Sequence, residues 1–108
     1  MSYTVKYSKQ AREDIQSIYE YIAFRLLSPD TAAAQIHRIY KTVRSLGEMP
    51  MRFRLYEDEP WHSKGLRVAP INNYLILYLP NEETDIVHIV RIIYGGRDLT
   101  RQLQNIEI

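Results

Sequence analysis

Residues 87–98 read VHIVRIIYGGRD, an almost wholly apolar run broken by Arg91, closed by Gly95 and Gly96, and followed by Arg97 beside Asp98. The isoleucines and valines predict a strand, and the paired glycines predict the turn that ends it. An arginine inside a strand that is apolar on both faces costs several kcal/mol unless it is paired or faces a water-filled groove. Arg91 is therefore expected either in a structural ion pair, with Asp98 or Glu57 as partner, or at an anion site.

Working towards the N-terminus, residues 66–71 and 73–79 form two more strand-like runs before the last strand, 85–94. They are separated only by turns at Asn72-Asn73 and Pro80-Asn81-Glu82, which implies an antiparallel meander. Residues 48–61 carry Pro50, Pro60 and the acidic Glu57-Asp58-Glu59 without any period, so they read as a connecting loop. Before that loop the period is helical. Ala33, Ile36, Ile39, Tyr40, Val43 and Leu46 make one stripe, started by Ser28-Pro29-Asp30 and stopped by Gly47 and Pro50. An earlier stripe, Ala11, Ile15, Ile18, Tyr19, Ile22 and Leu26, follows the N-cap Ser8 and predicts a helix from about residue 9 to 27. Tyr3, Val5 and Tyr7 alternate with polar residues as a first short strand.

The order is βααβββ, an α+β fold in which a long antiparallel helical hairpin packs on one face of a mostly antiparallel sheet. The other face is expected to be open. Leu99, Leu103, Ile106 and Ile108 recur at roughly helical spacing, so the tail reads as a short helix that docks or awaits a partner.

A chain of 108 residues supports one domain, spanning 1–108, and its 45% hydrophobic and 25% charged residues are enough for it to fold alone. Net charge is +1, so an anionic partner would have to be met by a local cluster of cations. With no cysteine there is no disulfide, thiolate nucleophile or Cys-ligated metal site. His37, His62 and His88 are too scattered for a metal site, and phosphate-cradling and nucleophile-elbow motifs are absent, so no cofactor is expected. MSYTVKYSKQ lacks a signal-peptide core, and no apolar run approaches the ~20 residues that span a bilayer. A cytoplasmic protein without membrane contact is expected.

One chemistry stays open to these residues. Internal attack by a ribose 2′-hydroxyl needs a base, an acid and cations on the phosphate, and His62, Lys64, Arg67 and Arg97 are the candidates. If Leu66 and Val68 enter the helix-packed core, Arg67 belongs to the open face with the loop residues His62 and Lys64 near it. By the same parity Arg91 shares a face with Val87, Ile89 and Ile93. Tyr94 shares the other face with His88, as a core ring with its hydroxyl at the rim. Leu75, Leu77 and Leu79 line one face of the middle strand, where they suit a hydrophobic docking surface.

The first strand, DIQSIYEYIA, the long second helix, MP, KGLRV, NYLILY and VRIIYGGRD, in that order, resemble the RelE/ParE superfamily of type II toxins. The resemblance implies a toxin that arrests growth until an antitoxin binds it in a hetero-oligomer. It implies one of two actions: ribosome-dependent cleavage of mRNA, as in RelE-like members, or inhibition of DNA gyrase, as in ParE-like members. A non-toxic interaction module is the third reading. Within the resemblance, Arg67 matches a strand cation, Arg97 the late arginine and Lys64, loosely, a cation before the strand. Leu75 stands where a RelE-like enzyme places an arginine after Tyr74, and Leu103 lies near its late tyrosine. These departures and the long hairpin favour the ParE-like action. Arg67, Arg91, Arg97 and Tyr94 are the expected target contacts, and Leu75 and Leu77 the expected antitoxin contacts.

Overall fold

In the computed structural model, which describes residues 2–96 and 98–104, the alternating and helical patterns become nine elements. They are β1 (Thr4–Tyr7), α1 (Lys9–Glu20), a π-helical turn (Tyr21–Arg25), α2 (Pro29–Leu46), α3 (Trp61–Lys64), β2 (Arg67–Ile71), β3 (Tyr74–Asn81), β4 (Ile86–Tyr94) and α4 (Leu99–Leu103). Sheet order is β1-β4-β3-β2; β1 lies parallel to β4, and the other pairs are antiparallel. The hairpin, the meander and a short helix at the tail are as the sequence predicts, with α3 added.

Ser8 joins strand to helix. Its Oγ accepts the Ala11 amide at 2.9 Å, the cap expected of serine, and donates to the Val90 carbonyl at 2.8 Å. Ser28 behaves differently: its hydroxyl donates to Leu26 O and makes no cap bond to α2. The first helix also ends earlier than the expected residue 27. At Tyr21 it widens to a π-helical turn, in which the Leu26 amide reaches back to Tyr21 O, and Leu27 adopts a positive φ of 54°. Ile22 and Ala23 stay buried, while Phe24 and Leu27 are turned out, 67% and 80% exposed. On α2 the buried stripe is Ala32, Gln35, Ile39, Val43 and Leu46, with Ala33 outside. At its end, the Gly47 carbonyl accepts the Tyr3 amide at 2.7 Å, and a Cβ there would meet Tyr3 O at 2.9 Å. Only glycine lets β1 lie this close.

Both faces of the sheet are covered. Ala69, Ile76, Tyr78, Val87, Ile89 and Ile92 meet the hairpin. On the opposite side, Leu66, Val68, Leu77, Leu79, Val90 and Ile93 pack with Tyr56 and Leu103, with Trp61, Leu75 and Leu99 at the margin. This corrects the expected open face. The 48–61 connection and the tail fold back over it, because six large aliphatic side chains on that face need a cover. Leu66 and Val68 thus enter the second layer, which puts Arg67 on the hairpin side, paired with Tyr78.

Parity fails at a β-bulge. Leu77 pairs with Arg91 but Tyr78 pairs with Ile89, leaving Val90 as the extra residue. Beyond it the alternation shifts by one: Val87 and Ile89 face the hairpin, and so does Ile92, whereas Ile93 faces the second layer. Arg91 therefore does not share a face with both Ile89 and Ile93, and Tyr94 does not share one with His88.

The second layer predicts a stability test. Leu103 is 1% exposed, so Leu103→Ala should lower unfolding free energy by about 2–4 kcal/mol. Leu99→Ala, at the margin, should cost less, as measured by urea denaturation.

Alkali supplies a second test. Burial, then the charge of Tyr40, pushes the Tyr7 hydroxyl from 10.0 up to about 12, and burial also raises Tyr78. Both hydroxyls hold their protons more tightly folded than unfolded, so their contribution is complete below the unfolded value of about 10 and is lost as pH rises through the folded values. The fall in Tm from pH 10.0 to about 12 should be shallower in Tyr7→Phe than in the natural chain.

Candidate functional site

Among the described residues that RNA cleavage would need, Arg67 is placed apart from His62 and Lys64. His62 stands in α3, not in a free loop, with Nδ1 2.9 Å from Tyr56 O; a carbonyl only accepts, so Nδ1 carries the proton. Lys64 lies over the Trp61 ring, 5.1 Å from its centroid, and Gly65 ends the helix at φ 88°. The adjacent Glu59 carboxyl accepts the Ser63 hydroxyl and amide, which hold it below its usual range. Arg67 is on the other side of the sheet. Its guanidinium donates to Phe53 O at 2.7 Å and Met51 O at 3.3 Å, tying the 50–55 segment to the edge of β2. Arg97, the fourth member of the expected set, lies outside the described residues. A base, a cation and the phosphate they would share need one concave surface, and the surface that could have supplied it is filled by the second apolar layer.

A different constellation forms at the bulge. The Asp14 carboxylate accepts Arg91 Nε at 2.7 Å and Nη2 at 2.9 Å, and its Oδ2 also accepts the Ile92 amide at 2.9 Å. The remaining Arg91 nitrogen, Nη1, donates to Gln102 O at 3.4 Å. The partner is thus Asp14, not Asp98 or Glu57; Asp98 instead caps α4 through the Arg101 amide. The side chains of the pair are only 15% and 16% exposed. Its hydrogen bonds, before its charge, raise the Arg91 guanidinium further above its ordinary value. Asp14 carried a signal that the sequence reading missed: it sits three residues after Ala11 and four before Ile18, on the apolar stripe itself.

Asp14 and Arg91 form part of the wall of a cleft of about 820 Å³ between the π-helical turn and the far end of the sheet. Tyr94 and Tyr74 stack edge to face there, 5.9 Å between centroids. Tyr94 is 50% exposed and is a surface ring, not the core ring expected: it is the last residue of β4, paired with the first residue of β3, Tyr74, at the end of the sheet. Tyr21 and Leu26 expose their side chains at the same cleft. Deeper in, Gln35 is 6% exposed; its Oε1 accepts Arg38 while Nε2 has no hydrogen-bond partner among the described residues. Of the expected docking leucines, Leu77 is fully buried and Leu75 half-buried at the margin of the second layer.

Truncating either partner of the clamp strands a charge in a poorly solvated place. Arg91→Ala should cost about 3 kcal/mol and Asp14→Ala at least as much, because the latter also orphans the Ile92 amide. Chemical denaturation of the two single variants and the double variant should show a smaller loss in the double than the sum of the singles.

Comparison with solved structures places this geometry in context. A chain of the chromosomal ParDE toxin–antitoxin system of Pseudomonas aeruginosa superposes with a TM-score of 0.70 at 19% identity, covering 86% of this chain and 96% of that one. A chain of the RelBE2 toxin–antitoxin complex of Mycobacterium tuberculosis gives 0.61 at 23% identity, covering 87% and 99%. A free, doubly substituted RelE toxin of Escherichia coli gives 0.67 at 10% identity, covering 94% and 93%. No curated protein sequence matches the chain. The family model for the ParE toxin of the type II toxin–antitoxin system parDE matches residues 5–99. This chain, from its first strand to the start of α4, belongs to the ParE toxin family.

Proposed function

We propose that this toxin arrests growth by ParE-like inhibition of DNA gyrase, without nuclease chemistry, and that a cognate antitoxin silences it in a hetero-oligomer. The observation that carries this reading is the second apolar layer: the sheet face that a phosphate site would need is packed with leucine, valine and isoleucine. The placement of Arg67 on the hairpin side, apart from His62 and Lys64 in α3, supports it, as does the match to the ParE family. Inhibition by docking needs surface, not a base, and the cleft offers Tyr94 as an exposed aromatic contact held in place by Tyr74. Arg91 would act on that surface indirectly, by fixing the end of β4. Leu75 is the leucine with surface left to offer an antitoxin.

Purified toxin should abolish supercoiling by gyrase and leave message ends unchanged in a translating system. Codon-phased RNA ends with unaffected gyrase would replace this reading with ribosome-dependent cleavage, and normal growth on expression of folded protein would remove the toxin activity altogether. Among variants, His62→Ala and Lys64→Ala should retain toxicity. Tyr94→Ala should weaken gyrase inhibition by about tenfold or more at unchanged Tm, read from supercoiling titrations.

A further inference from the structure

On the outer flank of the hairpin, away from the cleft, α1 and α2 enclose a groove of about 520 Å³ that shares no lining residue with it. Three aromatic rings line this groove and remain in solvent: Tyr19 at 37%, Phe24 at 67% and Tyr40 at 41% exposure. Tyr19 and Phe24 brace each other edge to face, 6.4 Å between centroids. An apolar strip of this kind, rimmed by polar side chains, marks an interaction surface.

The charge pattern along its rim selects the occupant. Arg12, Gln16 and Glu20 follow one another at four-residue steps on α1, all exposed and all lining the groove. Steps of four keep the three side chains on one face of the helix. Neither Arg12 nor Glu20 has an ion-pair or side-chain hydrogen-bond partner among the described residues. Within one helix they are roughly 12 Å apart, too far to satisfy each other. A second copy of α1 running antiparallel about a twofold axis at Gln16 changes that. Arg12 and Glu20 lie equally far from Gln16, so Arg12 of each copy comes level with Glu20 of the other, giving two equivalent pairs. A twofold interface requires this self-complementarity.

We propose that the outer flank of the helical hairpin is a homodimer interface, with two copies of α1 packed antiparallel around Gln16, joined by exposed aromatic rings and registered by reciprocal Arg12–Glu20 pairs. The aromatic area supplies most of the affinity, since exposed ion pairs add little. The pairs fix direction and register, because the wrong alignment opposes like charges. The interface leaves the cleft free in both copies.

The test uses the full-length chain made by cell-free synthesis, with mass measured by light scattering across a concentration series and folding checked by circular dichroism. The natural chain should dimerise. R12E and E20R should each be folded and dissociate at least about tenfold more readily, since each opposes like charges twice. Mixed together, R12E and E20R should recover a one-to-one dimer, because their opposed positions are again complementary. A natural chain that stays monomeric throughout the series, single variants that dimerise as well as it does, or folded variants whose mixture stays monomeric would each overturn the proposal. Because the chain has no cysteine, Q16C offers a second reading that survives misfolding of a charge variant. Its thiol would lie on the axis and should oxidise to a covalent dimer far faster than that of E13C, and equal rates would refute the twofold at Gln16.

Discussion

The structure depends on how one interrupted strand is closed. β1 pairs with β4 only as far as Tyr7 and Ile89, and just beyond that point β4 bulges at Val90. The bulge leaves a carbonyl and an amide facing a helix where a neighbouring strand would have met them. Side chains of α1 stand in for that strand: Ser8 donates to Val90 O, and Asp14 accepts from the Ile92 amide. Asp14 can be buried there because Arg91 neutralises it in a bidentate pair. Through Gln102 O the same guanidinium also reaches α4, so one ion pair connects the first helix, the last strand and the cover of the second layer.

Much of this was legible in the residues. Two 3.6-residue stripes, three strand runs with tight turns and a tail of leucines were sufficient for the fold class, and an arginine in an apolar strand announced a paired charge. The partner was less accessible, because a contact spanning 77 positions leaves no local trace. The bulge defeated the parity argument for the same reason. One added residue inverts every side chain after it, so Tyr94 no longer shares a face with His88. Arg67 was placed on the wrong face by assuming that its aliphatic neighbours entered the hairpin core, when this sheet has two cores. Asp14 and Gln35 were overlooked although both interrupt apolar stripes, a polar irregularity as informative as the one at Arg91.

The clamp and the surfaces divide labour. Residues that looked chemical from their type, Arg67 and Arg91, spend their hydrogen bonds on carbonyls and on a carboxylate within the fold. Exposed aromatic and aliphatic side chains line both flanks of the hairpin: Tyr94, Tyr21 and Leu26 at one, and Tyr19, Phe24 and Tyr40 at the other.

The parallel pairing of the first strand with the last has a temporal consequence. Thr4 to Tyr7 are synthesised well before their partners, Ile86 to Ile89. The sheet cannot be completed in the order of synthesis, because β1 has no neighbour until β4 has been made, and contacts of such separation form slowly. A nascent chain therefore presents a helical hairpin without its sheet. Since the Asp14–Arg91 pair belongs to that same late event, the cleft that the pair helps to wall is completed only after β4 has been made.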